Sequence, residues 1–254
     1  MIVVTTSYTR LVYAYPHGGG DYAVANENLA PLFGRVVGAA LMVDYTVTMA
    51  VSVSSGVLAI VSAWPALHPY IVNMDIAAVL LLAYINLRGL RESGTVFSFP
   101  IYSFVALMFL LVGIGVAKSW GAPKPPEFHE AQQALTLFLL LRAFAAGCAA
   151  LTGIEAIANG VPVFKDPAPR NASQTLIILA CIAVVIFMGV TWLAVHLGIT
   201  PMHTGEPGYR TVVAQVAVAI FGDGFLFFAI QIATMAILIL AANTSFADFP
   251  RLCS

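Results

Sequence analysis

The sequence predicts an all-α protein whose helices cross a lipid bilayer. Three observations support this fold class. Of the 254 residues, 60% are hydrophobic and only 9% are charged, whereas a soluble domain carries roughly 25% charged residues. The mean hydropathy is +0.92. Finally, the chain contains repeated apolar stretches of about 20 residues, the length that a helix needs to cross the hydrocarbon core of a membrane.

The predicted spans follow one another along the chain and are separated by loops rich in glycine, proline or charge. Residues 1–14 have the length and composition of the second half of a helix. The full-length spans are predicted at 34–63, 71–88, 95–118, 134–160, 174–199 and 225–248. Residues 211–221 are apolar but too short to cross, so we interpret them as a helix packed within a long loop. The total is about seven spans.

Lysine and arginine predict the orientation, because cytoplasmic loops carry an excess of both. One set of alternate loops and span ends holds six of them: Arg35, Arg88, Arg91, Lys165, Arg170 and Arg251. The other set holds three: Lys118, Lys124 and Arg210. We therefore expect the loops at 15–20, 88–94 and 165–170 on the cytoplasmic side.

Both ends of the chain lie close to apolar helical sequence, since Met1 opens an apolar run and Ser254 closely follows Pro250. We expect one transmembrane domain over 1–254 that is a fragment of a longer protein. The net charge of −1 gives no reason to expect a nucleic acid partner. The expected partners are the lipid bilayer and a small solute; no cofactor is expected, and the sequence allows a homodimer.

Two carboxylates clearly interrupt the apolar character of the predicted spans, where an ionised Asp or Glu costs on the order of 3 kcal/mol. Asp44 lies about a third of the way along the span at 34–63, and Glu155 lies in the span at 134–160. Each could serve a structural contact between helices. Hydroxyl residues accompany both carboxylates, however, and this combination favours a functional site.

The spacing of these residues predicts an ion site. Asp44, Thr48 and Ser52 recur every fourth residue and share one helix face, with Tyr45 beside them. Thr152 and Glu155 are three apart, in a stretch that holds Gly147, Gly153 and Gly160. The glycines predict a helix that breaks inside the membrane and frees carbonyl oxygens for a cation. We expect both groups to face one cation, with a carboxylate also carrying a proton. Asn243 is either part of the transport path or an interhelical hydrogen-bonding residue.

Several segments resemble the amino acid–polyamine–organocation (APC) permease superfamily. They are residues 13–22 with Gly38 and 41–45, residues 84–94, the run Thr152-Gly153-Ile154-Glu155-Ala156 through Pro162, and residues 241–252. The last segment resembles the KimA-type branch, which is related to the KUP potassium uptake transporters. The resemblance covers the whole chain.

The resemblance implies a partial LeuT/APC-type inverted-repeat bundle of five plus five helices. The chain would supply the second half of the second helix through the eighth, with a discontinuous sixth. It also implies that Asp44, Tyr45, Thr48, Ser52, Thr152 and Glu155 are ion ligands. The first helix, which supplies half of the site in this superfamily, is not in the chain, so we do not expect the chain alone to transport.

Three functions remain in competition. The first is a proton-coupled potassium symporter of the plasma membrane, which the anionic site favours. The second is an amino acid permease of the same fold. The third is a membrane sensor or scaffold. An enzyme is not expected, because no nucleophile–base pair or set of metal ligands lies at one depth.

Overall fold

The computed structural model describes residues 1–18, 20–88, 94–120, 136–149, 153–206 and 208–253. The predicted loop residues 89–93 and 123–126, and Thr152, lie outside these ranges. Every regular element in the described part is helical. The α-helices are α1 Ile2–Ala14, α2 Gly20–Asn28, α3 Pro31–Ala63, α4 Ile71–Leu87, α5 Gly94–Ser119, α6 Leu137–Ala149, α7 Ile154–Asn159, α8 Ala168–His196, α9 Val212–Phe221 and α10 Phe225–Cys253. Short 3₁₀ helices occupy Pro65–Tyr70 and Val161–Val163.

Within the described ranges, five helical segments are long and apolar enough to cross a membrane. They are Pro31–Ala63, Pro65–Leu87, Phe97–Ser119, Ala168–His196 and Phe225–Phe246. Each overlaps a predicted full-length span. Many of their large apolar side chains are exposed, including Leu80, Ile178 and Phe187. An apolar exterior of this kind fits hydrocarbon rather than water.

The ends of α8 differ from the predicted 174–199 for local reasons. The helix starts earlier because its first turns also include polar residues that precede the apolar run. A side-chain hydrogen bond connects this start to the preceding loop, since Asn171 Nδ2 donates to the carbonyl of Lys165 at 2.7 Å. It ends earlier because Gly198 adopts a left-handed φ of 66°. The amide of Ile199 then donates back to the carbonyl of Ala194 at 2.8 Å, as in a Schellman motif.

The described residues divide into two compact units, and each is discontinuous in sequence. The first unit comprises Met1–Leu41 and Glu127–Val185. Its core joins α1, α7 and the start of α8 through Val12, Ile154, Ala158, Val161, Ala172 and Leu176. The second unit comprises Met42–Pro126 and Ile186–Ser254.

The second unit contains two apolar clusters. The larger one joins α5, α9, α10 and the end of α8 through residues such as Leu111, Leu193, Ala217 and Phe227. The smaller one joins α3, α4 and α10 through Val53, Leu82 and Ala242. Helix α9 confirms the prediction of a short helix at 211–221, and it is anchored because the amide of Thr211 donates to Ser62 Oγ at 3.0 Å.

Helix α2 was not predicted, because residues 20–28 are polar and show no apolar stripe. Contacts with the rest of the first unit stabilise it. The hydroxyl of Tyr8 donates to Asp21 Oδ2 at 2.7 Å. Asn28 Nδ2 donates to the hydroxyl of Tyr15 at 2.6 Å.

Candidate ion-binding site

Helix α3 presents the predicted row of oxygen ligands on one continuous helix, as the four-residue spacing requires. Asp44 and Ser52 are separated by about 12 Å along the axis. Burial increases in the same direction, because Asp44 is exposed, Thr48 is half-buried and Ser52 is buried. Tyr45, beside Asp44, is half-buried as well. We call Asp44, Thr48 and Ser52 the α3 stripe.

The hydroxyls of the α3 stripe differ from other hydroxyls on membrane helices of this chain. Thr46 donates to the carbonyl of Met42 at 2.9 Å, and Ser62 donates to the carbonyl of Leu58 at 2.8 Å. Such bonding to the preceding turn satisfies the hydroxyl within its own helix. Within the described ranges, Thr48 and Ser52 make no hydrogen bond of this kind. Their oxygen atoms are therefore available to a ligand.

The predicted span at 134–160 is not one helix. Helix α6 ends at Ala149 and α7 begins at Ile154. Between them, Gly153 adopts a φ of 96°, which is incompatible with an α-helix and costly for any residue with a Cβ atom. The prediction of a break in this span is thus confirmed. Thr152 lies outside the described residues, so its role as a ligand stays a prediction.

Glu155 lies in the first turn of α7, directly after the break, and is half-buried. Asn159, one turn later, donates from Nδ2 to Glu155 Oε1 at 3.2 Å. The neighbouring Ile154 and Ala158 are buried in the core of the first unit. The apolar face of α7 therefore packs inward and fixes the helix, while the carboxylate occupies a different face.

A protein-family comparison agrees with this architecture, because the family model described as "Amino acid permease" matches residues 1–253. The chain belongs to this permease family. A similar protein is "Potassium transporter KimA" of Bacillus subtilis (strain 168). The two sequences are 44% identical over an alignment of 257 residues, gaps included, that covers 99% of the chain. The chain spans 42% of that relative's length. The resemblance to the APC superfamily and its KimA-type branch is thus confirmed.

The chain is accordingly a multi-pass integral protein of the plasma membrane and not an enzyme, as its sequence predicted. The α3 stripe and Tyr45 belong to the second unit, and Glu155 belongs to the first. The prediction that these residues bind one ion together stays a prediction.

The chain contains a third embedded carboxylate, Asp75, that the sequence analysis did not single out. Asp75 lies in α4 and accepts a hydrogen bond from the side chain of Ser54. Its Oδ1 atom is buried and has no hydrogen-bond partner among the described residues. The signal that revealed Asp44, an acid inside an apolar run, also applies to Asp75. The signal is weaker for Asp75 because this residue lies near the start of its span, close to one end of the apolar run.

Asn243 has an interhelical role, which was one of the two interpretations of this residue. Asn86 Nδ2 on α4 donates to Asn243 Oδ1 on α10 at 2.7 Å. Asn86 also donates to the carbonyl of Leu82 at 2.9 Å. The amide pair therefore joins α4 to α10, as polar side chains commonly do between membrane helices.

Proposed function

We propose that the chain forms part of a secondary transporter that moves potassium ions across the plasma membrane, coupled to protons. The observation that carries the proposal is the α3 stripe, in which a carboxylate and two hydroxyls without intrahelical bonds share one helix face. The name of the relative, a potassium transporter, supports the same substrate.

The chemistry of the α3 stripe suits a bare monovalent cation. Neutral oxygen dipoles can replace the hydration shell of potassium, as carbonyl groups do in channel filters. Tyr45 and Thr48 supply such oxygens near Asp44, whose negative charge offsets dehydration. Ser52 lies about 12 Å from Asp44 along the axis, so it would contact the ion at a second position along the same helix face. We propose that Thr152 and Glu155 contribute further oxygens, since they flank the break at Gly153, and a broken membrane helix frees polar groups for an ion.

Proton coupling follows from the use of carboxylates as ligands. Protonation of Asp44 or Glu155 removes a negative charge and so weakens cation binding, whereas loss of the proton restores it. A carboxylate that binds either a proton or a cation in different states would link the two movements. We therefore propose that one of these two residues carries the coupled proton.

An amino acid permease is the second candidate, because the matching family carries that description. An amino acid brings its own carboxylate, which Asp44 would repel. This repulsion is the physical reason to favour potassium.

Uptake of rubidium, as a tracer for potassium, and of labelled amino acids into vesicles that contain the full-length protein separates the two functions. We expect rubidium uptake, acidification of the vesicle interior during uptake, and a loss of at least about tenfold in Asp44→Asn and Glu155→Gln. Amino acid uptake without rubidium uptake would overturn the proposal in favour of the second candidate.

Thr46 provides a matched control on the same helix. Thr48→Val removes a proposed ligand, so we expect the half-saturating rubidium concentration to rise several-fold. Thr46→Val removes a hydroxyl that is satisfied by Met42, so we expect no change in that concentration. Equal effects of the two substitutions would contradict the assignment of the α3 stripe.

A further inference from the structure

The glycine-rich loop before α2 lies against Asn159, the residue that hydrogen-bonds to Glu155. A Cβ atom at Gly20 would overlap the Oδ1 atom of Asn159 and lie 3.0 Å from its Cγ. A Cβ atom at Gly18 would lie 2.7 Å from the main-chain oxygen of Asn159. Both glycines have positive φ angles, 40° and 81°. The loop thus requires glycine for its backbone conformation and for its close approach to Asn159.

The two glycines meet different parts of Asn159. Gly20 faces the side-chain amide, and its nearest atom is the amide oxygen. The amide nitrogen of the same side chain donates to Glu155 Oε1. Gly18 faces the backbone of Asn159 and the ring of Pro162, whose Cδ would lie 3.3 Å from an added Cβ. Gly20 therefore limits the side-chain conformation of Asn159, whereas Gly18 limits its main chain.

Contacts of α2 with α1 and α3 hold the end of this loop in place against Asn159. Helix α2, which begins at Gly20, is held to α1 through Asp21 and Asn28, as described above. The start of α3 also packs against α2: a Cβ atom at Gly34 would lie 2.9 Å from Asn26 Oδ1. All of these residues belong to the first unit. A side chain added at Gly20 would therefore displace the Asn159 amide rather than the loop.

We propose that Asn159 is a positioning residue for the Glu155 carboxylate and that Gly20 holds the Asn159 amide in its donating orientation. This inference rests on the proposed role of Glu155 in ion binding. The hydrogen bond directs one carboxylate oxygen toward Asn159 and so restricts the orientation of the other. Gly18 and Gly20 then restrict Asn159, and Asn159 in turn orients the Glu155 carboxylate.

The test compares Asn159→Ala with wild type in rubidium uptake by vesicles that contain the full-length protein. Alanine is the residue that best favours a helix, so the substitution removes the hydrogen bond without straining α7. We expect the half-saturating rubidium concentration to rise roughly three- to tenfold, while the maximal rate per transporter stays near the wild-type value. A purely structural role would instead reduce the amount of folded protein and leave the half-saturating concentration unchanged, which would overturn the inference.

The glycines supply the second arm of the test. Gly20→Ala should raise the half-saturating concentration in the same way. Adding Gly20→Ala to Asn159→Ala should not raise that concentration further, because the overlap is with the removed side chain, whereas the strain of alanine at a φ of 40° lowers only the amount of folded protein. Gly18→Ala should raise the half-saturating concentration further in the Asn159→Ala background, because the added Cβ atom would meet the main-chain oxygen of residue 159, which remains in that variant. Additive effects of Gly20→Ala and Asn159→Ala on the half-saturating concentration would contradict the inference.

Failure of the proposed function has a different signature. If wild type takes up no rubidium, or if Glu155→Gln leaves uptake unchanged, Glu155 has no role in ion binding and the inference falls with it. If Glu155→Gln abolishes uptake and Asn159→Ala leaves the half-saturating concentration unchanged, only the positioning role is overturned.

Discussion

Gly153 is required for its backbone conformation and not for its small size. Its φ of 96° is left-handed, yet a Cβ atom added there would meet no atom within 4 Å. The nearby Gly147 also has open space around it but lies inside α6. A residue with a Cβ atom would therefore be strained at Gly153 but not at Gly147, and only Gly153 marks the break before Glu155.

We predict that Gly153→Ala destabilises the protein by about 1 kcal/mol, the cost of a left-handed conformation for a residue with a Cβ atom. Gly153→Asn should cost less, because asparagine tolerates this conformation better. Thermal unfolding of the detergent-solubilised protein measures both. Gly147→Ala is the control and should be neutral or slightly stabilising, since alanine favours a helix. A Gly153→Ala variant as stable as Gly147→Ala would contradict the role assigned to the break.

At the scale of elements, α5 and α8 pack closely in the second unit through small residues. A Cβ atom at Gly189 on α8 would lie 2.8 Å from Val112 Cγ2 and 3.2 Å from Val112 Cβ. A Cβ atom at Gly115 on α5 would lie 2.7 Å from Leu193 Cδ1 and 2.5 Å from Ile220 Cδ1. Small residues permit such close approach of membrane helices. The neighbours differ in stiffness, because valine is branched at Cβ whereas the leucine and isoleucine atoms are flexible side-chain ends.

We predict that Gly189→Ala destabilises the protein by about 1–3 kcal/mol, as overpacking commonly does. Gly115→Ala should cost less, since Leu193 and Ile220 can shift. Val112→Ala in the Gly189→Ala background should restore much of the lost stability, because it removes the overlapping methyl groups. Denaturation in detergent gives the comparison. The prediction fails if Val112→Ala and Gly189→Ala are simply additive.

At the scale of the whole molecule, the length of α8 determines that its two flanking loops lie on opposite sides of the membrane. The helix has 29 residues and is about 43 Å long, which exceeds the hydrocarbon thickness of about 30 Å. Lys165 precedes it and His203 follows it, and both are exposed. The excess of positive charge assigns Lys165 to the cytoplasm.

We predict that a cysteine introduced at His203 reacts with a membrane-impermeant thiol reagent in intact cells, whereas a cysteine at Lys165 reacts only after permeabilisation. A background without Cys148, Cys181 and Cys253 removes the native thiols. A cysteine at Lys124, outside the described residues, should label like that at His203. Labelling of position 165 but not of 203 would reverse the topology.

The sequence by itself determined the membrane spans, the short helix α9 and the break before Glu155. These features depend on local causes: the hydropathy of about 20 consecutive residues, or a glycine next to an embedded carboxylate. The shared face of Asp44, Thr48 and Ser52 was predictable for the same reason, because helical periodicity alone specifies it.

Only the tertiary structure decided which distant residues meet. Helix α2 forms in polar sequence because Tyr8 and Tyr15 bind it. Asn86 meets Asn243 although 157 positions separate them, and Gly20 approaches Asn159 although neither residue alone indicates the contact. Such pairs depend on how helices pack, and a single sequence carries no local signal for the partner of a given side chain. The shared helix face of Asp44, Thr48 and Ser52 follows from periodicity, whereas the contact between Gly20 and Asn159 required the packed chain.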